Sequence, residues 1–239
     1  MHRGRSLAVF LLFAATAHSH AAEWLELDST PPAPARSTAK LPAPTNCSHG
    51  PAPVLFVRTS QTAVSHNHTR SNSEIVALAD RPAWWSGEIG GIYSSTPDYE
   101  YRVEFEDTQL PNGRVCSAYR RVEVDIRFVE TEISIDRAIK KTSCWYGALL
   151  QHEMTHYNAE GQALQEWEPA FVQIFQRALA NRGSTEDYAV EAAHNQLKYN
   201  LEQLIFNSMS DMLADIGQRQ LEMDTPETYQ AVANACPNE

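Results

Sequence analysis

Residues 121–128 read Arg121-Val122-Glu123-Val124-Asp125-Ile126-Arg127-Phe128, a strict alternation of charged and apolar side chains. A period of two puts every apolar residue on one face of a strand and every charge on the other. The same alternation comes earlier, with Tyr99, Tyr101, Val103 and Phe105 interleaved by Glu100, Arg102, Glu104 and Glu106. Pro111-Asn112-Gly113 lies between the two runs and supplies turn chemistry. Together they predict a small antiparallel sheet with one wet face. Upstream, 54–64 and 74–78 are short apolar runs of open type, and Trp84-Trp85 with Gly87–Gly91 suggests a packed corner or loop.

After Thr142 the period changes. Trp145, Leu149, His152, His156, Ala159, Ala163, Trp167, Ala170, Ile174 and Ala178 follow steps of three and four, the signature of one long helical face. Pro169 inside the run predicts a kink or restart near Trp167. Asn181-Arg182-Gly183-Ser184 reads as a helix stop. A second stripe follows through Val190, His194, Leu197, Leu201, Leu204, Ser208, Asp211 or Met212, and Asp215. Two long helices with a short link should lie antiparallel. The expected fold class is therefore α+β, a small antiparallel sheet followed by a long helical hairpin.

The first helix carries His152-Glu153-Met154-Thr155-His156. Residues four apart stand one above the other, so both imidazoles can reach one zinc ion at about 2.0–2.1 Å. Glu153 lies about 100° round the helix, beside such an ion, where its carboxylate can take a proton from a zinc-activated water. The third ligand is open. Glu160 is the nearest carboxylate, but it stands about 12 Å along the axis from His152. Folding the hairpin about Arg182-Gly183 puts residues 208–212 opposite the histidines. Asp211 falls there in the heptad phase of Leu197 and Leu204, and is the expected ligand. Asp215 is the alternative, or a support to one of the histidines. A carboxylate on an apolar seam is costly unless a cation or hydrogen bonds compensate it. His66 and His68 read as polar surface and His194 as a core histidine. Tyr157 and Tyr229 are candidate transition-state donors.

Cys144-Trp145-Tyr146, the apolar approach to His152-Glu153-x-x-His156 and the preceding Cys116 strand resemble the bacterial family of predicted secreted zinc-dependent proteases. The resemblance spans roughly 54–235, and implies a zincin-like domain with His152 and His156 as zinc ligands and Glu153 as acid/base. One place departs from it: Thr228-Tyr229-Gln230-Ala231 stands where that family leads one to expect a His-Gly pair.

The N-terminus agrees with export. Arg3 and Arg5 precede an apolar run from Leu7 to Ala17 of about 11 residues, short of the roughly 20 that span a bilayer, and small residues follow. Residues 1–21 read as a signal peptide, 22–53 as a Pro-rich tether and 54–239 as the hydrolase domain. In that compartment Cys47, Cys116, Cys144 and Cys236 read as two disulfides, with Cys116–Cys144 the favoured pairing. The charge balance, 19 Lys+Arg against 30 Asp+Glu for a net of −11, argues against nucleic acid or an anionic membrane as partner. The expected activity is that of a secreted or periplasmic zinc metallopeptidase acting on a peptide or protein, with strand Arg121–Val129 receiving the substrate as a further strand. The other reading is a non-catalytic zinc-binding envelope protein.

Overall fold

A computed structural model describes residue 47, residues 52–79 and residues 90–237. The signal peptide, nearly all of the tether and Trp84-Trp85 lie outside the described residues. The elements run β1 (Val54–Gln61), β2 (Ser65–Asn67), α1 (Asn72–Leu78), β3 (Gly91–Gln109), β4 (Val115–Ile135), α2 (Cys144–Arg182), β5 (Ser184–Asp187), α3 (Val190–Met223) and α4 (Pro226–Asn234). The chain is mixed helix and strand.

β4 is the spine of the sheet. The two alternating runs pair across it as β3 and β4, antiparallel, with Tyr99 opposite Ile126, Tyr101 opposite Val124 and Val103 opposite Val122. Gly113, at φ 81°, makes the turn between them. The sheet as a whole is not the antiparallel one expected. β1 and β2 lie on the other edge of β4 and run parallel to it, while β5 pairs antiparallel with its first residues. Because β1 precedes β4 by a long connection, it can enter parallel, a pairing that no local turn signal announces. This also overturns the expected substrate strand. Residues 121–128 are paired on both sides, by β1 and by β3, so no further strand can add there.

Val122, Val124, Ile126 and Phe128 are at most 2% exposed and form the core with Phe171 and Phe175 of α2 and Leu197, Leu201, Ile205 and Met212 of α3. Burying one such side chain is worth about 1.5–3 kcal/mol. Beyond Phe128 the buried phase flips. Glu130 adopts φ 52° and the register slips between Ser94 and Thr96, so that Thr131, Ile133 and Ile135 become the buried set. One extra residue in a strand exchanges its faces. The bulge sends the end of β4 and the start of β3 towards the N-terminal half of α2, where Leu149 packs on Ile133 and Ile135.

α2 runs unbroken through Pro169. It lies antiparallel to α3, as the pairs His152–Asp224, His156–Gln220 and Trp167–Asp215 require. The disulfides are Cys47–Cys116 and Cys144–Cys236, not Cys116–Cys144. Cys116 opens β4 and Cys144 opens α2 after β4 has ended, so the whole strand separates them. One bridge holds the segment before β1 to the start of β4. The other holds the chain's end to the start of α2.

Candidate metal centre

α2 begins at an N-cap, Ser143, whose hydroxyl accepts from the Tyr146 N–H. The helix turns one face to the sheet and α3, and on it His152, Glu153 and His156 are 8%, 5% and 5% exposed. His152 Nε2 and His156 Nε2 lie 3.3 Å apart. Asp224 Oδ1, from the residue that ends α3, stands 3.2 Å from the first and 3.0 Å from the second. Three atoms bound tetrahedrally to one ion at about 2.0–2.1 Å would be about 3.3 Å apart. Among the described residues this is the one group of three His, Cys, Asp or Glu side chains placed to hold a metal ion.

Neighbouring side chains orient these three groups. Gln220 accepts from His156 Nδ1–H through Oε1 and donates to the His156 carbonyl at 3.2 Å. With Nδ1 donating to Gln220, it is Nε2 that faces Asp224; it donates there in the metal-free protein and would give up that proton on binding an ion. Tyr229 of α4 donates to Asp224 Oδ1 at 3.0 Å, and its ring lies 5.2 Å from that of His152. Burial pushes the Asp224 carboxyl up, but hydrogen bonds from His152 and His156 outweigh it and hold the group well below the ordinary range. Glu153 goes the other way. Its burial dominates the neighbouring histidines and raises its carboxyl, against a weaker opposing pull from the Tyr93 main-chain N–H beside it.

The structure does not bring the expected third ligand to the histidines. Asp211 is exposed to solvent on α3. Asp215 accepts from Trp167 Nε1 at 2.8 Å and pairs with Arg219 at 3.0 Å, away from the histidines. Two physical effects combine here. A helix drifts about 20° per heptad against a strict seven-residue repeat, so the seam passes from Leu197 to Met212 and leaves Asp211 outside. β5 also lengthens the link, so the pairs His152–Asp224 and His156–Gln220 centre on Tyr188 instead of Gly183. That moves the level by about eleven residues, or roughly three turns. Sequence reasoning missed Asp224, although Asp224-Thr225-Pro226 carries a helix stop followed by a new N-cap.

Glu160 is not at the metal group either. It is 3% exposed and accepts from Tyr93 Oη, Ser95 Oγ and Gln61 Nε2 at 2.6, 2.6 and 2.8 Å. His68 binds the Ile139 carbonyl and His66 is exposed. His194 is half-buried, stacked on Phe105 and bonded to Asp107 at 2.9 Å. Of the two candidate tyrosines, Tyr229 reaches the site, whereas Tyr157 turns to the Thr62 carbonyl.

No family model, curated protein or solved structure matches this chain. The functional reading therefore stands on the residues themselves.

Proposed function

We propose that this chain is an exported zinc-dependent metallopeptidase. The observation that carries the reading is Glu153, a buried carboxylate on the same helical turn as two histidines whose Nε2 atoms converge with Asp224 on one point. Two imidazoles and one carboxylate form a donor set of the kind catalytic zinc takes. Bound there, zinc would supply Lewis acidity and a water that loses its proton near neutral pH. Glu153 takes a proton from the attacking water, the water oxygen bonds to the scissile carbonyl carbon, and the C–N bond breaks as Glu153 returns the proton to the leaving amine. The Tyr229 hydroxyl, which donates to Asp224 at 3.0 Å, stands beside the three converging groups, where it could turn to donate to the developing oxyanion.

Export accords with two disulfides, which persist in oxidising compartments, and no helix among the described residues is long and apolar enough to cross a membrane. The test is Glu153→Gln. Retention of one zinc per chain with loss of peptide hydrolysis supports the enzyme. If the variant and the wild type hydrolyse equally, Glu153 is not the acid/base; if the wild type binds zinc and hydrolyses nothing, the non-catalytic envelope protein is the better reading.

A further inference from the structure

Glu160 is a buried carboxylate that neither the metal group nor the proposed chemistry uses. Its three donors come from two different strands, Gln61 from β1 and Tyr93 and Ser95 from β3. Gln61 Nε2 also donates to the Tyr93 hydroxyl at 3.0 Å and to the Tyr157 carbonyl of α2 at 3.2 Å. Glu160 thus fastens the start of β3 to α2 along the helix from His156.

The same short piece of β3 holds Glu153. The ladder bonds to β4 fall at Gly90 and every second residue after it, so the Tyr93 main-chain N–H faces away from β4, and it lies beside the Glu153 carboxylate. Two residues earlier, Gly91 is buried so closely against this side chain that a Cβ there would lie 3.1 Å from Glu153 Oε1 and 3.3 Å from its Cγ. A larger residue would oblige the carboxylate to give by a few tenths of an ångström. On its other side this piece of β3 is paired with β4, Gly91 opposite Ile135 and Tyr93 opposite Ile133. Gly91 and Tyr93 form the wall against which Glu153 rests, and Glu160 fixes that wall.

We infer that Glu160, acting through Tyr93 and Gly91, is a positioning residue for Glu153 and has no part in holding the metal. The inference rests on the reading of Glu153 as acid/base, but its structural half can be tested without metal or substrate. A carboxylate displaced by a fraction of an ångström loses alignment with the reacting atoms, and misplacement of about 1 Å can cost about a hundredfold.

The experiment compares Glu160→Ala, Glu160→Gln and Tyr93→Phe with the wild-type, oxidised protein. Three measurements are made: zinc affinity by chelator competition, kcat and KM on one peptide that the wild type cleaves, and amide exchange at Tyr93 in the metal-free protein. We expect Glu160→Ala to lower kcat by about ten- to a hundredfold with KM and zinc affinity nearly unchanged, and to speed Tyr93 amide exchange. Glu160→Gln keeps an acceptor for Tyr93 and Gln61 and should restore most of kcat. Tyr93→Phe, which keeps the ring and the main-chain N–H, should fall between the two and stands in if the alanine variant does not fold. Unchanged kcat and Tyr93 exchange in a folded Glu160→Ala or Tyr93→Phe protein would overturn the inference. So would a loss of zinc affinity matching the loss of kcat, which would make Glu160 part of the metal group. If the wild type hydrolyses no peptide, the proposed activity fails, and unaltered Tyr93 exchange in the variants would separately remove the positioning role.

Discussion

Asp224 and His152 are 72 residues apart in the chain, yet Asp224 Oδ1 lies 3.2 Å from His152 Nε2. The contact closes the open end of the α2–α3 hairpin and completes a group of three side chains that could hold a metal ion. It makes Asp224, and not Asp211, the carboxylate whose removal should matter. Asp224→Ala is expected to weaken zinc binding by more than the ten- to hundredfold that loss of a ligand's supporting partner typically costs, so by over about a hundredfold. Asp211→Ala, at an exposed position, should leave affinity unchanged. Competition with a zinc chelator measures both, and equal affinities for the two variants would remove Asp224 from the site.

Gln220 holds His156 by its side chain and by its main chain at once. Gln220→Leu keeps the volume but leaves Nδ1–H without its acceptor, so the ring can turn. Zinc affinity should fall by about ten- to a hundredfold, less than for Asp224→Ala. Calorimetric titration with zinc gives the comparison. An effect larger than that of Asp224→Ala would mean that Gln220 itself binds the ion.

How far the sequence foretells this arrangement depends on how local each signal is. The β3–β4 pair is legible because Tyr99–Phe105 and Arg121–Phe128 alternate strictly and Pro111-Asn112-Gly113 joins them. His152, Glu153 and His156 are legible because three residues this close on one helix need no tertiary knowledge to meet. The parallel entry of β1 is not, since the connection that permits it carries no short-range mark. Nor is the exchange of faces at Glu130, which depends on one residue taking φ 52°. Asp224 was lost for a similar reason: the four residues of β5 were read as part of a tight link, and an error of five residues at the bend doubles at the far end of the hairpin. Gly91 gave no signal of its own, because its role appears only when Glu153 is seen beside it.

The Cys144–Cys236 bridge ties the first residue of α2 to the segment that follows α4, and between its ends it encloses both the histidines and Asp224 with Tyr229. α4 has no fully buried residue to fix it independently. Replacing both cysteines by serine should therefore cost about 2–5 kcal/mol of stability and weaken zinc binding by about tenfold or more, as loss of a ligand's support does. The double serine variant at Cys47 and Cys116, far from the histidines along β4, should cost similar stability and spare zinc affinity. Urea unfolding and chelator competition on the two variants decide the matter. Equal zinc affinities would show that α4 holds Asp224 without its staple.

Glu160 gives a prediction in pH. Burial is the largest influence on its carboxyl and raises it above the ordinary value, against the opposing pull of Ser95, Tyr93 and Gln61. The groups facing it are neutral donors, and none is a cation. Burial and the neighbouring carboxylate also push the Tyr93 phenol up, so it stays protonated and keeps donating. An acid whose folded pKa is raised contributes stability that is complete below its unfolded value, 4.5, and is lost as pH rises through the folded value. Glu160→Gln cannot ionise and should lose nothing over that interval. The difference in unfolding free energy between variant and wild type should therefore move in the variant's favour between about pH 4 and about pH 8, since ionising the buried carboxylate destabilises only the wild type. Urea unfolding of the metal-free proteins at the two pH values measures it. A difference independent of pH would mean that the three donors fully offset the burial of the charge, and that Glu160 is ionised as readily in its place between β3 and α2 as in water.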